Sequence, residues 1–333
     1  MLIITNACLF KAVCSFAVPL TRCVFVLTRE TLPNIKTDCI MKIDLHIHSS
    51  CSDGRMSPEE IFQEARQRGL ETISITDHDS VDCQEEAEVL AGKHGMQLIR
   101  GLELSVSFSH PDYKGGKAIS LDFLAYEYDL RSRSLVEKLA LLREHRVKRG
   151  EQILENINRE LSRVSTERLT GQDLDEIQDS VDGSFGRPHI AAHLVKRGFV
   201  NTIQEAFDRY LVKCNVPKMP LSLSEASALV REAGGKLMLA HPNDPRGTSL
   251  VSFTRSLEEQ QKIIRETMLS HIDGIECWHS RHDPETTVSY LTFARGCGLM
   301  VTGGSDCHQA PVIMGTVRVP SAVLEQFKGS KQE

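Results

Sequence analysis

The stretch MKIDLHIHSSCSDG, residues 41–54, decides the fold: a short apolar run, KIDLH, leads into His46 and His48, and Asp53 stands close behind. Alternate residues of a β-strand share a face, so two imidazoles in H-x-H spacing at a strand end can converge on one point. Asp306 and His308 repeat the device far downstream, in SDCH. Imidazoles and carboxylates gathered in this way are donor types for a divalent metal.

Working outward, Ser57-Pro58-Glu59-Glu60 reads as a helix start, with Ser57 as cap, Pro58 in the first turn and Glu60 completing a capping box. Gly69 is the expected stop. Strand-like runs follow at 72–78, 98–105, 118–126, 236–242, 273–279 and 299–308, with helical patterns around 82–92 and ahead of Gly234-Gly235. Strands separated by helices predict parallel pairing through crossovers. Seven such strands predict an α/β fold, a seven-stranded β/α barrel.

The ligand-type residues fall at matching places in this pattern. His46 and His48 end the first strand, Asp77 and His78 the second and Glu103 the third. Asp122 lies in the fourth, His241 ends the fifth, and Asp306 and His308 follow the seventh. Barrel enzymes assemble their sites from the C-terminal ends of several strands, so these residues are expected to meet.

Composition sets outer bounds. Of 333 residues, 41% are hydrophobic and 25% charged, the balance of a globular protein with a sizeable core. The net charge of −6 comes with no basic or acidic tail, so bulk charge does not point to nucleic acid, and phosphate binding needs a local cluster. Ten cysteines without C-x-x-C pairing suit a reducing, cytoplasmic setting. Residues 1–40 differ: their apolar runs, broken by Lys11, Arg22 and Arg29, are shorter than the roughly 20 residues of a membrane span. This segment reads as a non-native or disordered extension, with Met41 as the working start; a weak targeting segment is the alternative.

DLHIHSSCSDG, TDHDS, GLELS, AHP and GGSDCH together resemble the ordered motifs of the PHP (polymerase and histidinol phosphatase) superfamily, over residues 41–320. FGRPHIAAHLV (185–195) resembles the branch holding 3′,5′-nucleoside bisphosphate phosphatases and 5′→3′ oligoribonucleases. The resemblance implies a distorted seven-stranded barrel binding two to three divalent metals. Mn²⁺ is the leading choice, with Mg²⁺, Fe²⁺ and Zn²⁺ as alternatives. His46, His48, Glu103 and Asp306 would hold one ion. Glu103 would bridge to a second ion, with His241 and the residue at position 122; Asp53, His78 and His308 would hold a third. Asp44 and Asp77 would orient imidazoles from behind. Position 122 departs from the family pattern, since most relatives place histidine there; the added carboxylate shifts preference toward Mn²⁺ or Mg²⁺. The implied reaction is phosphoester hydrolysis by metal-activated water, without a Ser or Cys nucleophile.

Residues 127–222 interrupt the barrel pattern and are expected to form a small helical cap domain, leaving 41–126 and 223–325 as the barrel. One long amphipathic helix carries Arg143, Arg146, Lys148 and Arg149, which read either as a solvated basic face or as a phosphate-facing patch. Arg187 and His189 would bind a non-scissile phosphate, and His279 and His282 would line the site. A lysine common in relatives is replaced by Asn215, with Lys213 and Lys218 nearby. The expected substrate is a small nucleotide or short 5′-phosphorylated RNA, with no membrane and no obligate protein partner. The alternatives are a histidinol phosphatase-type enzyme and a non-catalytic metal-binding module.

Overall fold

The strands run β1 Lys42–Ile47, β2 Leu70–Ile75, β3 Gln97–Leu98, β4 Gly101–Phe108, β5 Ile119–Tyr126, β6 Lys236–Leu239, β7 Gly274–His279 and β8 Met300–Gly304. The computed structural model describes residues 42–163, 167–179, 186–308 and 311–328. The extension expected at 1–40 lies outside the described residues.

The fold is mixed α/β, and the distorted seven-stranded β/α barrel expected is not seen as one closed sheet. Among the described residues the strands form two sheets, one of three strands (β1-β2-β3) and one of five (β4-β5-β6-β7-β8), and neither is closed. The run expected as a single strand over 98–105 breaks between β3 and β4, and its halves join different sheets. Uniform parallel pairing is also corrected, because β5 pairs antiparallel with both β4 and β6. Between β4 and β5 lies only a 3₁₀ turn at Lys114–Gly116, whereas a parallel link needs a dozen or more residues.

Single bridges join the two sheets at two seams. At one, Ile47 meets Cys307, the His48 amide donates to the Cys307 carbonyl at 3.0 Å and the Asp306 amide to the His46 carbonyl at 2.8 Å. At the other, His78 meets Glu103, whose amide donates to the Asp77 carbonyl at 3.1 Å. Gly304 allows β8 to lie against β1: a Cβ there would stand 2.4 Å from the His46 backbone nitrogen.

Helices α1 Pro58–Gln67 and α2 Gln84–His94 cover the first sheet. The capping box forms as expected, with the Ser57 amide donating to Glu60 at 2.8 Å, and Gly69 ends the helical stretch at φ 69°. Helix α3 Arg133–Leu161 is the long helix expected, and its two halves have different partners. Leu135, Leu139 and Leu142 join the core of the five-stranded sheet. Ile153, Leu154, Ile157 and Leu161 join a separate apolar cluster with α4 Gly171–Asp179, α5 Arg187–Lys196 and α6 Ile203–Ala206. A π-helical turn, Phe207–Leu211, continues α6. Helix α7 Leu223–Glu232 leads back into β6, while α8 Leu257–Thr267 and α9 Pro284–Cys297 flank β7. No helix among the described residues is long and apolar enough to cross a membrane.

Asp173 ties α4 to α5. It accepts from the Thr170 amide at 2.7 Å, contacts His193 Nε2 at 2.8 Å and pairs with Arg197. Burial works against its charge, but His193, Thr170 and Arg197 outweigh it and hold the carboxyl at about 2. A depressed carboxyl stabilises the fold above its unfolded pKa, and that contribution is lost as pH falls from about 4 toward 2. Asp173→Asn is therefore expected to cost about 2 kcal/mol at neutral pH. Urea unfolding across this window should show the difference from wild type vanish in acid; a gap that persists below pH ~2 would contradict the linkage.

Candidate metal centre

Seven strands, or the turns that follow them, deliver donors to one place, with Glu103 and Asp122 inside β4 and β5 rather than at their ends. His46 and His48 come from β1 and the turn after it, with Nε2 atoms 3.1 Å apart. His46 Nδ1 faces the buried Glu276 carboxylate on β7 at 3.0 Å, so Nδ1 carries the proton and Nε2 presents its lone pair to the centre. Glu103 on β4 stands among four imidazoles: 3.5 Å from His46, 3.2 Å from His48, 3.2 Å from His78 and 3.1 Å from His241. Asp306 lies 3.4 Å from both His46 and His48. Asp53 reaches His48 and His308 at 3.4 Å each.

The donor atoms fall into groups that could each hold an ion. These are His46, His48 and Glu103; Glu103, Asp122 and His241; and His48, Asp53, His78 and His308, each with its atoms within 4.8 Å of one another. The expected residues are thus brought together, with one addition. His46, His279 and Asp306 form a further group, which moves His279 from the rim into the centre. His48 Nδ1, His78 Nδ1 and His279 Nε2 are buried with no hydrogen-bond partner, as metal-ligating nitrogens are before an ion arrives. The residues present therefore fit divalent cations.

Electrostatics support the same reading. Burial opposes charge on His46, yet Glu276, Glu103 and Asp306 raise its pKa well above the usual imidazole value. Glu103 is held well below the usual carboxyl range, since His78 and His46 outweigh its desolvation. Asp122 goes the other way: burial first, then the Glu103 charge, push its carboxyl up, while Ser105 Oγ donates to it at 3.0 Å. A trap that draws protons so strongly also draws cations. Backbone strain concentrates here, with Asp79, His241 and Asp306 at φ 48°, 24° and 57°, a region that side-chain-bearing residues seldom adopt.

Several expectations change. Asp44 accepts from the Ser305 and Gly315 amides at 2.8 Å each, fixing the seam backbone rather than an imidazole. Asp77 accepts from the Ser49 amide at 2.8 Å and from Ser52 Oγ at 2.5 Å, anchoring the loop that carries Asp53. Glu276 is the carboxylate that orients His46, and the sequence reading missed it. Its signal was a lone glutamate inside the apolar strand GIECW, costly to bury without a partner. His282 is not among the cavity-lining residues: its Nδ1 faces the Cys277 carbonyl at 3.1 Å, its Nε2 accepts the Asn243 amide at 3.4 Å, and its ring stacks on Tyr290. Burial pushes its pKa down to about 4.

A cavity of about 500 Å³ opens over this centre. Its lining includes Arg146, Arg149, Arg187, His189 and Lys218, all from residues 127–222. Arg187 lies over the Phe207 ring, 5.6 Å from its centroid, so the π-helical turn supplies a floor for the guanidinium. The basic helix face divides in two. Arg146, paired with Asp79, and Arg149 line the cavity, whereas Arg143 pairs with Asp82 and Lys148 with Glu144. Asn215 accepts from Arg149 at 2.6 Å and Lys213 pairs with Glu160, while Lys218 reaches Ser105 at 3.3 Å. Arg281, also missed, joins the lining and pairs with Asp244 at 2.7 Å and Asp306 at 2.5 Å.

Fold and centre together define a metal-dependent phosphoesterase. A model of the PHP domain matches residues 44–214. A 5′-3′ exoribonuclease of Haemophilus influenzae is 30% identical over 80% of this chain and 90% of its own. A 3′,5′-nucleoside bisphosphate phosphatase of Chromobacterium violaceum is 26% identical over 80% and 87%. Among solved structures, a protein of Bifidobacterium adolescentis described as a metal-dependent phosphoesterase superposes with TM-score 0.70 at 28% identity, covering 87% of this chain and 96% of that one. The chain belongs to the PHP domain family.

Proposed function

We propose that this phosphoesterase cleaves a phosphate ester from small nucleotides bearing two phosphates, or from the 5′ end of short RNA. The observation that carries the reading is the mixed lining of one cavity. Imidazoles and carboxylates share about 500 Å³ with Arg146, Arg149, Arg187, His189 and Lys218. Such a space is the size of a small-molecule site, and its walls suit one phosphate at the centre and another held by cations.

Within this reading, His46, His48, Glu103 and Asp306 hold one ion, His241 and Asp122 share Glu103 with a second, and Asp53, His78 and His308 hold a third. When bound, such cations acidify water and neutralise phosphoryl oxygens, with Mn²⁺ the best match to this donor set. Glu276 holds the His46 ring by Nδ1 in one orientation, with Nε2 turned toward the centre. Arg187 offers a planar fork to the second phosphate and His189 a neutral ring, since burial lowers the pKa of His189.

The test offers purified protein with Mn²⁺ adenosine 3′,5′-bisphosphate, a 5′-phosphorylated oligoribonucleotide and histidinol phosphate side by side. Preference for either nucleotide substrate supports the reading, and preference for histidinol phosphate overturns it. Asp122 gives a sharper check. Asp122→Asn keeps the shape and removes the charge, so activity should fall roughly 10–100-fold and recover partly at high Mn²⁺, as mass action refills a weakened site. Unchanged turnover and metal content would make Asp122 a bystander.

A further inference from the structure

Beneath the loop that carries Asp53 lies a second cluster of different chemistry. Cys51 follows β1, Cys83 stands at the start of α2, and Asp77 lies between them. Their sulfur and oxygen atoms are within 4.8 Å of one another. The Cys83 thiol donates to Asp77 Oδ2 at 2.9 Å. Cys83 and Asp77 are buried, and the half-buried Cys51 gives a route from solvent. We propose that Cys51, Cys83 and Asp77 form a site for a thiophilic divalent cation of the Zn²⁺ class, separate from the phosphoesterase centre.

The donors argue for that class. Two sulfurs and one carboxylate oxygen make a soft set, whereas the main centre is built from nitrogen and oxygen alone. The Cys83 thiol proton lies between the sulfur and the Asp77 carboxylate, in the place a cation would take. A cation replaces it: one M²⁺ enters, two S–H bonds break, two S–M bonds form and two protons leave to solvent. Charge balances, because two thiolates and a carboxylate surround a dication in place of two thiols and a carboxylate. The site also touches the loop directly, since Asp77 holds Ser49 Oγ at 2.6 Å and Ser52 Oγ at 2.5 Å. Occupation therefore ties residues 49–53 to the start of α2. This proposal does not depend on the nucleotide reading.

The experiment titrates the full chain, already loaded with Mn²⁺, with Cd²⁺ and follows the ultraviolet thiolate-to-cadmium charge-transfer band. The Cys51→Ser/Cys83→Ser protein is expected to take up one thiolate-bound cadmium fewer per chain than wild type while keeping its manganese. Equal uptake by both proteins would place the thiolate site elsewhere and overturn the proposal. So would recovery of a Cys51–Cys83 disulfide from protein purified without reductant, since the pair would then serve redox chemistry. Should the double variant fail to fold by circular dichroism, Cys51→Ser alone should weaken that cadmium at least about tenfold, and unchanged affinity would overturn the proposal.

Discussion

Asp306→Ala is expected to strip bound divalent metal and phosphoesterase activity together. The side chain is 6% exposed and stands 3.4–3.5 Å from His46, His48, His279 and His308, so its loss removes a donor shared by four imidazoles. Its removal also leaves the Arg281 guanidinium with Asp244 as its other carboxylate partner at the cavity edge. The several kcal/mol that a Lewis-acid ion contributes correspond to a loss on the order of a thousandfold in turnover. Elemental analysis and single-substrate kinetics on the same preparation check it. A metal-free variant with wild-type turnover would end the metal-dependent reading. Glu276→Gln is the graded companion: it keeps a hydrogen-bond partner for His46 but not the charge, so metal affinity should fall about 10–100-fold with the fold intact.

The second large effect belongs to a residue with no side chain. Gly304→Ala places a methyl group 2.4 Å from both the backbone nitrogen and the Cβ of His46, where a rigid strand cannot yield. β8 must move off β1, and the hydrogen bonds from the Asp306 amide to the His46 carbonyl and from the His48 amide to the Cys307 carbonyl stretch with it. Overpacking of this kind costs about 1–3 kcal/mol, and here the displaced residues are the donors themselves. Melting temperature and metal content should drop in step. Gly296→Ala is the control: it lies in α9 with open space around its Cα and should be neutral or stabilising by up to about 1 kcal/mol. A Gly304→Ala protein as stable as wild type would mean the seam is looser than its geometry.

Local chemistry made much of this legible in the sequence. H-x-H at 46–48 and D-x-H at 306–308 announced themselves by spacing, and Ser57-Pro58 by capping rules. The alternation of strands and helices carried the α/β class, and position 122 stood out against the family pattern. What escaped depended on long-range arrangement. The turn between β4 and β5 is short enough to force antiparallel pairing, a matter of loop length rather than strand pattern. Glu276 and Arg281 act on partners 230 and 25 residues away, and no local period marks them. Asp44 and Asp77 sat beside the right histidines in sequence but spend their oxygens on backbone amides, hydroxyls and a thiol.

The two seams carry one more consequence. Each sheet is tied to the other by single bridges at Ile47–Cys307 and His78–Glu103, and both bridges sit at or beside proposed metal donors. Ions bound there would act as rivets between the two sheets. Folding and metal loading would then be one linked equilibrium, in which free cation at a hundred times its dissociation constant adds about 2.7 kcal/mol of stability. The melting temperature of this protein would report the metal buffer around it, and a shortage of the bound cation would cost the enzyme by unfolding as well as by inactivation.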